Sequence, residues 1–272
     1  MKHRTALLPL IATILALVAC TTSPTGRTQL TLIPDAMISQ FGVTAFNDIR
    51  RSTAEVSDGF VSAYVNCVAD AILRELPDDA RQRDWQVVVF ADRSANAFAV
   101  PGGRIGVHEG LLRVAEDQHQ LATVVGHEIA HVLARHANER MSTTLIAQSG
   151  LQALDKAMSN SSSRREIITV LGLGAQYGAL LPYNRIREAE ADVMGLEFMA
   201  RAGFDPRASV VLWQNMAQDS GGQSRPEFMS THPSHNTRID GLGHRIPDAV
   251  AIRDAAIASG RQPDCDRLRS DF

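Results

Sequence analysis

His127, Glu128 and His131 form the pattern H-E-x-x-H, a spacing that allows side chains to bind and use a metal ion. In an α-helix, residues four apart lie about one turn apart on the same face, so both imidazoles can reach one small cation. Glu128 follows His127 directly, and its carboxylate can take a proton from a water on that cation. The pattern therefore indicates a zinc-dependent peptidase.

The residues around this pattern predict a buried helix within 121–140. Apolar residues recur there at steps of three and four, which is typical of a helix packed into an apolar interior: Leu121, Val124, Val125, Ile129, Val132 and Leu133. Two imidazoles and a carboxylate on such an element would be costly to bury without a metal. A coincidental match to the pattern on the surface is the alternative.

A further histidine, His136, follows closely after the pattern. Along one uninterrupted helix its spacing from His127 corresponds to about 900° of rotation, so we expect it on the opposite side, solvated or hydrogen-bonded locally. The longer pattern H-E-x-x-H-x-x-G-x-x-H would need glycine at position 134 and histidine at position 137, and both are alanine. The third ligand must therefore come from elsewhere in the sequence.

Length and charge set loose limits on the class of protein. The 272 residues, 44% of them hydrophobic, suffice for one sizeable domain or for a domain with an appendage. A net charge of -3 gives no basis for nucleic-acid binding, which favours a basic surface. We expect residues 20–34, which are polar and turn-rich, to form a tether that ends in a short docked segment. Residues 35–272 should form a single metallopeptidase domain.

Residues 1–19 are typical of an export signal. A basic start precedes an apolar stretch, Ala6 to Val18, that is shorter than the roughly 20 residues needed to span a bilayer. The segment Leu17 to Cys20 resembles a bacterial lipoprotein box, which would make Cys20 a lipid anchor. An ordinary signal with an incidental cysteine is the alternative. Because no aspartate follows Cys20, we expect the outer membrane, on its periplasmic face, as the location.

Cys67 and Cys265 are the two other cysteines of the sequence. In an exported, oxidising setting two such thiols are more often paired than free. Closing so long a loop would stabilise the fold by about 4 to 5 kcal/mol in the chain-entropy model. Two unpaired, buried cysteines are the alternative.

The segment before the H-E-x-x-H helix predicts a helix that ends before Pro77, followed by a strand over 85–90. Two extended pieces, Asn96 to Val100 and Arg104 to Val107, then flank the turn signal Pro-Gly-Gly and predict a hairpin. An exposed edge of that hairpin could pair with an extended peptide. A purely structural hairpin is the alternative.

Residues 159–165, SNSSSRR, form a polar break without an apolar anchor, which predicts a loop. The loop could act as a lid, although an ordinary surface loop is the more frequent case. Helices are predicted on both sides of it, over residues 142–158 and 166–181.

Another predicted helix, over 183–202, carries several acidic residues. Glu188 and Asp192 are four apart and share a face, whereas Glu190 is about 200° from Glu188 and points away. One carboxylate of the shared face could bind the metal, and the other could accept the N–H of a ligating imidazole. A solvated acidic surface is the alternative.

Taken together, these motifs resemble the M48-type zinc metallopeptidases, which are gluzincin-like, and in particular their bacterial periplasmic lipoprotein members. The resemblance covers roughly residues 26–246 and rests on the segments NAFAVPGGRIGVHEGLL, GHEIAHVLARH, REAEADVMG and THPSHNTRI. It implies a mainly α fold with a small β-sheet (α+β), a zincin-like domain and one Zn²⁺ per chain. It also implies Glu188 as the third zinc ligand and Asp192 as the partner of a ligating histidine.

The resemblance further implies a substrate cleft and two more site residues. The cleft would be lined by the first half of the predicted hairpin, at Asn96, Ala97, Phe98, Ala99, Gly102 and Gly103. His232 becomes a candidate for a fourth ligand that plugs the site at rest, or for a donor to the oxyanion. Arg238 could likewise stabilise developing charge.

The expected reaction is hydrolysis of a peptide bond by water held on zinc, with Glu128 moving the proton. The expected substrates are unfolded or misfolded envelope proteins, and the outer-membrane assembly machinery is a candidate partner. One alternative is an outer-membrane assembly or quality-control binding factor with a plugged or rarely used metal site. Another is a hydrolase of a different bond, which a peptide-pairing strand does not favour.

Overall fold

The computed structural model of the chain describes residues 20–157, 181–219, 232 and 236–269. The predicted export signal, the predicted loop at 159–165 and nearly all of the predicted helix at 166–181 lie outside these residues. Most of what is described is helical, which confirms the prediction of a mainly α fold with small sheets. The strands are β1 (Cys20–Thr22), β2 (Thr28–Leu30), β3 (Gln86–Phe90), β4 (Ala97–Val100) and β5 (Arg104–His108). The helices are α1 (Asp35–Ser52), α2 (Gly59–Arg74), α3 (Asp78–Arg81), α4 (Gln118–Leu133), α5 (His136–Ala157), α6 (Leu181–Arg201), α7 (Ala208–Asp219) and α8 (Asn236–Ala258).

Three strands form a mixed sheet beside the H-E-x-x-H helix. The order is β3-β5-β4, with β3 parallel and β4 antiparallel to β5. Gly102 and Gly103 have φ values of 92° and 77°, a conformation that favours glycine, and they make the turn between β4 and β5. The predicted hairpin is therefore confirmed, and β4 is an edge strand of this sheet.

Helix α4 carries the H-E-x-x-H pattern through the middle of the core. Its first turn is capped by Asp117, whose side chain accepts a hydrogen bond of 2.7 Å from the Gln120 N–H. Its middle packs against α6 at Gly126 and Gly195, where a Cβ on Gly126 would lie 2.8 Å from the Gly195 carbonyl oxygen. The two backbones can approach this closely only because both residues lack a side chain. This crossing brings the acidic face of α6 to the two histidines.

The single helix predicted over 121–140 is two helices in the structure. α4 ends at Leu133, and Arg135 adopts a left-handed conformation with φ 57° before α5 begins at His136. The chain direction changes at this point. Positions after Arg135 therefore cannot be placed by counting turns from His127.

Both ends of the described chain are fastened to the core. A disulfide joins Cys67 on α2 to Cys265, with an S–S distance of 2.04 Å. At the other end, β1 and β2 pair antiparallel as a hairpin, with Cys20 opposite Leu30. Beyond this hairpin, the Leu32 N–H donates to Ser142 Oγ of α5 at 2.8 Å, so more of the predicted tether is docked than the sequence indicated. Among the described residues, none of the helices is both long enough and apolar enough to span a membrane.

Candidate metal centre

Two helices and one further residue place four side chains that could bind a metal around a common point. His127 and His131 come from α4, Glu188 comes from α6, and His232 lies between α7 and α8 in the sequence. One ligand atom from each lies within 4.8 Å of all the others. His127 and Glu188 are buried, and the other two are partly exposed. Helices α4 and α6 thus meet at a site that is open on one side.

The distances among these atoms fit one metal ion. His127 Nε2 lies 3.0 Å from His131 Nε2 and 3.3 Å from Glu188 Oε2, and His131 Nε2 lies 3.5 Å from Glu188 Oε1. A tetrahedral zinc ion with bonds of about 2.0 to 2.1 Å keeps its ligand atoms about 3.3 Å apart. Burial also lowers the pKa of His131 well below its usual value, so its imidazole is neutral and keeps a lone pair for a metal.

His232 lies where a fourth ligand would lie. Its Nδ1 is 3.3 Å from His127 Nε2 and 3.1 Å from Glu188 Oε2. Its Nε2 faces Glu128, at 3.5 Å from Oε1 of that residue. Both roles predicted for His232, a ligand that plugs the site and a donor to the oxyanion, stay predictions.

Glu128 lies next to the four ligand atoms without being one of them. Its side chain is almost fully buried, and it lies close to the Ala99 N–H of β4. Burial raises the pKa of the Glu128 carboxyl, although His232 and His127 act in the opposite direction. A raised pKa makes this carboxylate a better acceptor for the proton of a water, which is the role predicted for it.

Asp192 and Arg238 hold His127 from behind. Asp192 Oδ1 lies 3.1 Å from His127 Nδ1, and Arg238 donates to both oxygens of Asp192 at 2.6 Å. Arg238 Nη1 also donates to Glu188 Oε2 at 3.2 Å, and the guanidinium carbon lies 4.3 Å from the centre of the Trp213 ring. Arg238 is thus committed to two carboxylates and does not line the cleft described below. At this position Arg238 orients Asp192 and Glu188, and its predicted contact with developing charge stays a prediction.

His136 lies behind His131, and the prediction that it points to the opposite side is wrong. Its Nδ1 is 2.8 Å from His131 Nδ1, and its Nε2 is 3.2 Å from Glu190 Oε2. Only 3% of His136 and 7% of Glu190 are exposed, so neither is a solvated surface group. The break at Arg135 explains the error, because α5 starts in a new direction at His136. No glycine or proline marks that break in the sequence.

A cleft of about 670 Å³ runs between β4 and the exposed side of the metal centre. Glu128, His131, Glu188 and His232 line one wall. The opposite wall contains five of the six residues predicted to bind substrate: Asn96, Ala97, Phe98, Ala99 and Gly102. Gly103 is the exception, since a Cβ placed on it would point at the Asp84 carbonyl oxygen, 3.1 Å away. In the described part of the chain, β4 pairs with β5 alone, so its other edge faces this cleft.

Comparison with known proteins agrees with this geometry. Residues 61–246 match peptidase family M48 and include all four candidate ligand residues and Glu128. The chain belongs to this family. Because the match covers most of the chain, membership confirms the predicted class of protein, a metallopeptidase.

Several relatives carry names that describe a peptidase. Metalloendopeptidase OMA1 of Danio rerio is 34% identical over 241 residues, which are 84% of this chain and 50% of the relative. The mitochondrial metalloendopeptidase OMA1 of Bos taurus is 39% identical over 180 residues, 63% of this chain and 34% of the relative. The beta-barrel assembly-enhancing protease of Escherichia coli K12 is 26% identical over 206 residues, 74% of this chain and 42% of the relative. The chain therefore matches half or less of the length of these relatives.

These relatives contradict the predicted location at a bacterial outer membrane. The OMA1 proteins of Bos taurus, Homo sapiens, Saccharomyces cerevisiae and Schizosaccharomyces pombe are mitochondrial by name, and the match to the Escherichia coli protease is weaker in identity. The prediction was wrong because it relied on four residues ending at Cys20, which lie outside the part that matches the family. The lipoprotein type gains no support from the comparisons. The alternative of a binding factor is not favoured either, because each of these relatives is named as a peptidase.

Proposed function

We propose that the protein is a zinc-dependent endopeptidase in which His127, His131 and Glu188 hold the metal. The observation that carries this proposal is the match between the ligand-atom distances of 3.0 to 3.5 Å and the geometry of one tetrahedral ion. When bound, zinc lowers the pKa of a coordinated water to about 7 and polarises a carbonyl group. Two imidazoles and one carboxylate are a donor set that zinc accepts readily.

Glu128 is the proposed general base and acid. Its buried carboxylate lies between the ligand cluster and the edge of β4, so it can take the proton of the attacking water and return it to the leaving amine. The Ala99 N–H of that edge lies close to this carboxylate. The base thus lies beside the strand along which a substrate would lie.

The edge of β4 is the proposed binding site for substrate. An extended peptide can add to such an edge through main-chain hydrogen bonds, which do not depend on side-chain identity. A folded protein rarely offers an unpaired extended segment, so this mode selects unfolded or misfolded proteins. Within this scheme His232 occupies the fourth ligand position at rest and must move aside when substrate binds.

Replacing Glu128 tests the proposal. Glu128→Gln should retain zinc, because Glu128 is not one of the proposed ligands. It should nevertheless cleave unfolded casein at least about a hundredfold more slowly, since a factor of that size is the lower end of what general acid-base catalysis contributes. Glu197→Gln is a matched control, since Glu197 lies on α6 in an exposed ion pair with Arg201 and should leave the rate unchanged. Full activity of the zinc-loaded Glu128→Gln protein would refute the role of Glu128.

A further inference from the structure

The N-terminal hairpin carries an arginine that reaches into the core behind the metal centre. Arg27 donates to both oxygens of Glu139, at 2.6 and 2.8 Å, and to Glu190 Oε2 through Nε at 3.0 Å and Nη2 at 2.8 Å. Thr25, from the same hairpin, donates to Glu190 Oε1 at 2.5 Å. Both carboxylates are buried, with 1% and 4% of their side chains exposed. The hairpin thus supplies most of the hydrogen bonds that these carboxylates receive.

Glu190 connects this hairpin to the metal centre through His136. A His131 that binds a metal through Nε2 must carry its proton on Nδ1, and the atom 2.8 Å from that nitrogen is His136 Nδ1. His136 Nδ1 must then be the acceptor, so His136 carries its own proton on Nε2 and donates it to Glu190 Oε2 at 3.2 Å. One continuous set of hydrogen bonds therefore runs from Arg27 through Glu190 and His136 to His131.

From this arrangement we infer that Arg27, Glu190 and His136 are positioning residues that fix the orientation and tautomer of the metal ligand His131. The inference rests on the proposed metal site and extends it to a residue outside the family match, which begins at residue 61. Groups that orient a metal ligand typically account for about 10- to 100-fold in metal affinity. The docked hairpin thereby contributes, through Arg27, to the orientation of a metal ligand.

Zinc affinity tests the inference without relying on catalysis. It can be measured on the full chain by competition between the protein and a chromogenic chelator for Zn²⁺ alone. His136→Phe keeps a ring but removes the acceptor, and Arg27→Gln removes the cation that holds Glu190. Each should weaken zinc binding by about tenfold or more. His136→Asn, which can place an oxygen near the position of Nδ1, should retain most of the affinity.

Asn138→Ala is the matched control. Asn138 also fastens the N-terminal segment to α5, through a 2.7 Å hydrogen bond from its side-chain nitrogen to the Ile33 carbonyl oxygen, but its side chain makes no hydrogen bond to His136 or Glu190. This variant should lower the melting temperature and leave zinc affinity unchanged. The absorption spectrum of bound Co²⁺ gives a second readout, which should change in His136→Phe and stay the same in Asn138→Ala.

The outcomes separate this inference from the proposed function. If the unmodified protein binds no zinc, the metal site itself is refuted. If it binds zinc, and folded Arg27→Gln and His136→Phe bind it equally well, only the positioning role is overturned. An equal loss in Asn138→Ala would reduce Arg27 to a structural anchor. Should Arg27→Gln fail to fold, the double variant Arg27→Gln with Glu139→Gln removes the cation together with one of its carboxylates. The same loss of zinc affinity is expected for this double variant.

Discussion

The two histidines of the H-E-x-x-H pattern are held by different parts of the chain. His127 is held by Asp192 and Arg238, which we call the Asp192 arm, and the aspartate contacts the imidazole directly at 3.1 Å. His131 is held by His136, Glu190 and Arg27, the His136 arm, in which a second imidazole separates the ligand from the carboxylate. Each arm ends in an arginine that binds the carboxylate through two nitrogens.

The arms differ in how much of the chain they need. The Asp192 arm lies within the residues that match the family, and Asp192 is one turn from Glu188 on the same helix. The His136 arm crosses from α5 and α6 to a hairpin that is 163 residues away from Glu190 in the sequence. The same chemical task is therefore met once by contacts within the family match and once by a contact with a residue outside it. This difference predicts that only the second arm depends on docking of the N-terminal hairpin.

Removing Glu188, the proposed metal ligand that lies next to both histidines, should have the largest effect. Glu188→Ala deletes the carboxylate that faces both imidazoles, so zinc affinity should fall by more than about a hundredfold, beyond what loss of an orienting partner costs. Metal analysis after dialysis measures this, with Glu197→Ala on the same helix as control. Stoichiometric zinc in Glu188→Ala would contradict the assignment of this ligand and would remove the basis for comparing the arms.

Breaking the Asp192 arm should have an intermediate effect. Asp192→Asn weakens the acceptor for His127 Nδ1–H and leaves Arg238 with one carboxylate, Glu188, instead of two, so zinc should bind about 10- to 100-fold more weakly. Chelator competition on Asp192→Asn and His136→Phe, separately and combined, compares the two arms directly. Because they act on different ligands, the losses should multiply. A combined loss no larger than either single loss would show that the arms are not independent.

Removing the hydrogen bond from the uncharged Thr25 hydroxyl to Glu190 of the His136 arm should have the smallest effect. Thr25→Val removes one donor to Glu190 but leaves Arg27 in place, so the free energy of unfolding should fall by roughly 1 to 2 kcal/mol. Zinc affinity should change by less than about threefold. Denaturant unfolding and chelator competition measure the two quantities. A loss of zinc affinity as large as that of Arg27→Gln would move the critical contact from the arginine to the threonine.

The sequence predicted those parts of the fold that depend on local periodicity. The helix under H-E-x-x-H, the β4–β5 hairpin and the shared face of Glu188 and Asp192 each follow from a repeat or from turn residues within about 20 positions. The family resemblance added His232, which no spacing argument could place near the metal. These predictions needed no knowledge of how distant elements pack.

The His136 arm could not be predicted in the same way. The helix break before His136 falls at Ala134 and Arg135, and neither residue type normally ends a helix. The sequence correctly separated Glu190 from Glu188 around the helix, but it gave no sign that the second face is also buried. The contact between Arg27 and Glu190 depends on the folded chain bringing two remote segments together, which a single sequence does not report.

Anomalous diffraction from crystals of the zinc-loaded protein, recorded on both sides of the zinc absorption edge, tests the central claim most directly. We expect one peak per chain, at about 2.0 to 2.2 Å from His127 Nε2, His131 Nε2 and a Glu188 oxygen, with Glu128 outside bonding distance. A zinc peak elsewhere, a peak coordinated by Glu128 in place of Glu188, or no peak in zinc-saturated crystals would contradict the account.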